Sequence, residues 1–193
     1  MTQFKIILDT NVYLRLGNSI HPLLFKSFGL KNYTLYLIKG FQKEFERNSR
    51  LKNKFYWVNE REYKENRQYK LNISKNNRED IKLTNSFFWE QNISENLGLS
   101  RVDAEAASYA SVLNIPLVTD DKGMINLCKT HNVEVWGVLD LLELMYESEH
   151  IKVDELRAII GYLQYNKDLP YPSFLNDLKS RFRKYKIISK LKL

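Results

Sequence analysis

The 193-residue sequence contains one cysteine, three histidines, seven glycines and four prolines. With Cys128 alone no internal disulfide can form, and Cys/His zinc sites of the usual spacing are excluded. Apolar runs are only a few residues long, as at Leu141–Leu142 and Ile159–Ile160. A membrane-spanning helix needs about 20 such residues, so no membrane segment is expected. The opening Met1-Thr2-Gln3-Phe4-Lys5 runs straight into a strand pattern without an apolar leader, which makes a cytoplasmic protein the expectation. Neither repeats nor a low-complexity linker interrupt the chain. Against these absences, 44% of the residues are hydrophobic, enough for the core of one ordinary domain and too many for global disorder.

The net charge of +7 is unevenly spread. Lys39 to Lys82 carries 13 basic against 7 acidic residues, and Lys179 to Leu193 carries 7 basic and no acidic ones. Between Leu99 and Glu149 the balance reverses to 3 basic and 9 acidic. An acidic middle between basic flanks suits a metal-loaded site served by a phosphate-gripping surface. Solvated helix faces in a lysine-rich chain give the same tally.

Periodicity predicts strands at Phe4–Leu8, Thr34–Ile38, Ile115–Val118 and Val133–Trp136. Between them it predicts helices at Val12–Leu16, His21–Phe28, Lys39–Arg50, Arg101–Leu113, Gly123–Thr130 and Leu139–Tyr146. Ser100 and Asp103 have the spacing of a capping box opening the Arg101 helix. Residues 51–97, with neither Gly nor Pro, are expected as charged helical segments with a short strand at Phe55–Val58 and a helix over Arg78–Leu97 whose Ile81, Phe88 and Ile93 share a face. Val153–Leu163 and Ser173–Tyr185 read as two further helices across the Pro170-Tyr171-Pro172 turn. Alternating strands and helices with short links argue for a parallel sheet covered on both faces, over residues 1–148. Residues 149–193 form a helical extension ending in the basic residues Arg181, Arg183, Lys184 and Lys186, which either touch nucleic acid or are disordered.

Parallel sheets bind ligands beyond the carboxyl ends of their strands. Asp9 follows the first strand, Asp120-Asp121 the third, Asp103 opens the helix before that third strand, and Glu44 lies in the helix after the second. Two carboxylates about 4 Å apart repel by roughly 4 kcal/mol at an effective dielectric near 20, which a shared cation or proton relieves. Oxygen donors without His or Cys select Mg²⁺ or Mn²⁺. Taken one at a time, each acid also has a plain structural use: Asp9 as a turn residue, Asp103 as a cap, Asp120-Asp121 as a turn, Glu44 and Glu46 as helix surface. Tyr56, Trp57, Tyr63 and Tyr69 interleave with Lys54, Arg61, Lys64, Arg67 and Lys70, a pattern fit either to stack bases and hold phosphates or to pack amphipathic helices. His21, His131 and His150 read as packing or surface residues, Cys128 as core, and Ala104, Ala106, Ala107 and Ala110 as close helix–sheet packing.

The segments Ile7-Leu8-Asp9-Thr10-Asn11-Val12, Lys43-Glu44-Phe45-Glu46-Arg47, Leu99-Ser100-Arg101-Val102-Asp103-Ala104-Glu105-Ala106 and Pro116-Leu117-Val118-Thr119-Asp120-Asp121 together resemble the PIN-domain family of metal-dependent nucleases, which includes the VapC-type toxins of toxin–antitoxin pairs. The resemblance spans about Phe4 to Glu147. It implies a three-layer α/β/α sandwich with a central parallel sheet and an acidic quartet of Asp9, Glu44, Asp103 and Asp121 around Mg²⁺ or Mn²⁺. It also implies Thr10, Asn11 and Thr119 as supporting hydrogen-bonders, Asp120 as an auxiliary acid, and single-stranded RNA cut by water. Asp9, Asp103 and Asp121 would ligate the metal, while Glu44, with Glu46 its rival in the same helix turn, would hold a second ion or orient the water. Lys54, Arg61, Lys64 and Arg67 are the expected nucleic-acid contacts, with an antitoxin protein and a homo-oligomer as expected partners. Residues 51–97 and the tail exceed the compact toxin pattern. A nuclease acting on DNA or structured nucleic acid, and a binding scaffold whose acids no longer catalyse, are the competing readings, whereas a phosphatase of the haloacid dehalogenase type is rejected because that chemistry wants a second carboxylate where Asn11 stands.

Overall fold

The computed structural model describes residues 3–191. Ile6, Ile7 and Leu8 have no exposed surface, as befits a strand covered on both faces. This strand, β1 (Phe4–Leu8), lies inside a four-stranded, all-parallel sheet with β2 (Tyr33–Leu37) on one side, β3 (Leu117–Val118) on the other and β4 (Val135–Trp136) beyond β3. Leu8 pairs with both Leu37 and Val118, and Val118 with Trp136, so the four strands end level along one edge. The chain moves outward from β1 to β2 and then returns to the far side of β1, which leaves a crevice between β1 and β3 at their carboxyl ends.

Eleven helices clothe this sheet in the described residues: α1 (Thr10–Leu16), α2 (Gly40–Arg47), α3 (Ser49–Lys54), α4 (Arg61–Gln68), α5 (Lys75–Glu95), α6 (Arg101–Leu113), α7 (Lys122–Thr130), α8 (Val138–Glu147), α9 (Val153–Tyr165), α10 (Phe174–Phe182) and α11 (Ile188–Leu191). The period-2 alternation of the strands divides the core in two. Ile6, Leu8, Leu35 and Val118 pack with α1, α8, α9 and α10, while Ile7 and Leu117 pack with Phe88 of α5, the alanines of α6, and Met124, Leu127 and Cys128 of α7. The result is a three-layer α/β/α sandwich. Leu156, Ile160, Leu163, Phe174 and Phe182 share the cluster of Leu8 and Val118, so the helices after residue 149 build the same core as the sheet.

Several sequence expectations need correction. His21–Phe28 forms no helix: Leu23, Leu24 and Phe28 are buried at helix-like spacing, yet the Asn66 amide takes both the Leu24 N–H and its carbonyl, and Phe25 adopts a positive φ of 63°. Phe55–Val58 is no strand but leads into a 3₁₀ turn at Tyr56–Asn59 that buries Trp57 against Tyr13 and Tyr63. The expected Lys39–Arg50 helix breaks at Asn48, which leaves α2 in an extended conformation and caps α3 through its side chain. Ser173–Tyr185 likewise resolves into α10 and a 3₁₀ turn at Arg183–Tyr185. On α5, Ile81 and Phe88 are buried but Ile93 is 63% exposed, its expected place being taken by Asn92.

Two cations of the basic tail are engaged within the fold. Arg181 pairs with Asp140 and Glu143, and Lys184 with Glu143 at 2.8 Å and Glu147 at 3.4 Å. The histidines pack on aromatic rings, His150 on Phe28, His131 on Phe88 and His21 on Tyr63. No described helix is long and apolar enough to cross a membrane.

Buried Asn92 closes the α5–α6 connection by accepting from Leu99 N–H at 2.9 Å and donating to the Leu99 carbonyl at 3.2 Å. Asn92→Ala leaves both backbone groups unpaired and should cost about 1–3 kcal/mol, read as a lower urea midpoint at unchanged m-value.

Candidate active site

Asp9 is the first residue past β1 and caps α1, its Oδ1 accepting from Asn11 N–H at 3.4 Å. It is buried, and its Oδ2 accepts from the Thr119 hydroxyl at 3.0 Å. The fully buried Thr119 also accepts from Asp121 N–H at 3.1 Å, so one hydroxyl joins the ends of β1 and β3. Asp121 caps α7 through Met124 N–H at 2.9 Å. Gly123, next along, permits α7 to start against the 97–99 loop, since a Cβ there would collide with the Leu97 carbonyl.

Asp103 forms the expected capping box with Ser100, accepting from Ser100 N–H at 2.8 Å through Oδ2. Small side chains at Ala104, Ala106, Ala107 and Ala110 bring α6 close to the sheet. Glu44 arrives on α2, whose buried Phe41 and Phe45 stack one turn apart and fix the facing of that helix. The Thr10 hydroxyl donates to Glu44 Oε2 at 2.8 Å, whereas Glu46 is exposed and accepts from Gln42. Of the two rivals, Glu44 is the one turned toward Asp9's neighbours.

The acids sense one another. Burial, then the charge of Asp103, pushes the Asp9 carboxyl up to about 7 despite its hydrogen bonds from Thr119 and Asn11. Burial chiefly raises Asp103 too, opposed by Ser100 and reinforced by Glu44 and Asp121. Arg15 is the cation that offsets Asp9, and it is paired with Asp168 at 3.6 Å. The second oxygens of Glu44 and Asp121 accept no hydrogen bond among the described residues. This oxygen-only set, crowded with negative charge, fits a hard divalent cation in its chemistry. Its side chains do not yet stand at coordinating spacing: among the described residues no three His, Cys, Asp or Glu groups do.

Other expected residues are placed differently. Asp120 points to the N-terminus of α8, accepting from Val138 N–H at 3.3 Å with either oxygen. Asn11 is exposed and meets Asp9 through its backbone. Lys54 is paired with Asp168 at 3.2 Å. Arg67 donates to the Tyr13 hydroxyl and the Val58 carbonyl and lies over the Tyr13 and Phe41 rings, which makes it a strut between α4 and the core. Arg61 pairs within its own helix with Glu65. Lys64 is exposed and, with Lys39 and Lys70, lines a cavity of about 550 Å³ beside α2. Trp57 and Tyr63 belong to the core, leaving Tyr56 and Tyr69 exposed. The sequence assigned no role to Glu105, two residues beyond Asp103, yet its carboxylate abuts Gly40 at the start of α2 and burial raises its pKa against the pull of Lys43 and Lys39. Its signal is the acid–Ala–acid spacing in α6.

Because folded Asp9 holds its proton more tightly than an unfolded aspartate, its contribution to stability is present at low pH and fades as pH rises from near 3.8 to about 7. In chelator, stability should therefore fall by a few kcal/mol across that window, at about 1.4 kcal/mol per pH unit, and Asp9→Asn should flatten the fall. Urea unfolding at successive pH values checks this; equal slopes for both proteins would refute it. Comparison with protein-family models, with curated proteins and with solved structures finds no match for this chain.

Proposed function

We propose that the chain is a Mg²⁺- or Mn²⁺-dependent ribonuclease of PIN type that hydrolyses phosphodiester bonds in single-stranded RNA. The observation that carries this reading is the gathering of Asp9, Glu44, Asp103 and Asp121 at the β1–β3 crevice, tied by the hydroxyls of Thr10 and Thr119. The motif resemblance supports it independently of that geometry.

In this reading Asp9, Asp103 and Asp121 would hold the cation. When bound, such a cation neutralises charge on the scissile phosphate and lowers the pKa of a coordinated water. Asp9 is kept in place by Thr119 and Asn11, so its carboxylate is oriented before any ligand arrives. Glu44 has one oxygen fixed by Thr10 and the other free to accept a proton from the attacking water. Ser100 and Met124 N–H groups orient Asp103 and Asp121 in the same way. Action as the toxin of a toxin–antitoxin pair, and self-association, are narrower forms of the same proposal.

The test uses end-labelled single-stranded RNA and DNA of one sequence, with Mg²⁺, Mn²⁺ or chelator. The parent protein should cut RNA only with metal. Asp9→Asn, Asp121→Asn and Glu44→Gln should each lose about 10²-fold or more. Glu46→Gln should cut at the parent rate. Parent-rate cleavage by both Asp variants would overturn the assignment, and cleavage of DNA alone would overturn the choice of RNA.

A further inference from the structure

A cavity of about 540 Å³ opens beside the acids, between the carboxyl end of β2, α5 and α6. Ile7, Ile38 and Ile81 supply apolar wall, while Lys39, Lys70, Arg78 and Lys82 stand around it. None of these four cations makes an ion pair among the described residues, and Glu105 is the one acid in the lining. Asn85, also in the wall, has its Oδ1 buried without a hydrogen-bond partner, and its amide donates to nothing described. A buried acceptor left unpaired costs stability unless a ligand or water meets it. The half-buried Tyr109 ring completes the wall and, among the described residues, stacks on no other aromatic ring.

We propose that this cavity is a nucleotide subsite, seating one unpaired base against Tyr109 and the Asn85 amide with its phosphate among Lys39, Lys70, Arg78 and Lys82. The Asn85 amide nitrogen, which donates to no described residue, offers a hydrogen bond to an acceptor on the base edge. A free aromatic face and unpaired cations provide stacking and phosphate contacts. The volume lies within the range of small-molecule sites. Glu105 links the cavity to the acids, because it lines the cavity two residues after Asp103 on α6 and lies against Gly40, which begins the helix that carries Glu44. As a seat for a nucleotide flanking the cut bond, the cavity rests on the ribonuclease reading. As a nucleotide site it does not.

Calorimetry with 5′-AMP in chelator separates the two. AMP should bind, with adenosine and inorganic phosphate each about tenfold weaker or more. Asn85→Ala should weaken AMP at least about fivefold, as should Arg78→Ala/Lys82→Ala, which alters exposed residues only and keeps the test open if truncating Asn85 disturbs α5. Asn85→Ala should also raise KM for RNA. No AMP binding at millimolar concentration, phosphate binding as well as AMP, or AMP binding indifferent to both variants would each overturn the subsite. AMP binding weakened by the variants in a protein that cuts no RNA would uphold the subsite and defeat the ribonuclease reading.

Discussion

β1 pairs in parallel with both of its neighbours, and its last residue is level with theirs. That register decides what lies at the sheet edge. Leu8, Leu37 and Val118 end together, so Asp9, Ile38 and Thr119 leave the sheet side by side although they are far apart in the chain. A one-residue slip would turn Ile6 and Leu8 into the opposite core and carry Asp9 away from Thr119. The apolar face on each side of the strand therefore enforces the polar contact at its tip.

The carboxylates do two things each, and the first makes the second tolerable. Asp9, Asp103 and Asp121 all cap helices, where backbone N–H groups and the positive end of the helix offset negative charge. Those caps hold the acids within each other's field, where Arg15, itself paired with Asp168, only partly offsets the charge at Asp9. What remains uncompensated is concentrated at Asp9, the most deeply buried of the set.

The layered fold was legible because strand and helix periods are local: Phe4–Leu8 and Arg101–Leu113 stand where their patterns place them. Asp9 and Asp121 stand out in the sequence by following strands and Asp103 by its place in a first turn, whereas Glu44 stands out only through the resemblance of its segment. His21–Phe28 was not, because the apolar spacing that reads as a helix is met by a loop pinned by Asn66, a residue 42 positions from its partner. Arg67 and Lys54 read as phosphate contacts because sequence shows charge but not the Tyr13 hydroxyl or Asp168 that engages it. The Asn85 cavity had no signal, since it exists only where α5 crosses the end of β2.

The pairing of the tail with α8 has an effect on how a polyanion would meet this surface. Asp140, Glu143 and Glu147 line one helix flank, and Arg181 and Lys184 lie across them. The segment thus works as an internal counterion: it screens a row of carboxylates on the helix that Asp120 caps. Without Arg181 and Lys184 that flank of the helix would present an unscreened row of carboxylates, a surface that repels any polyanion.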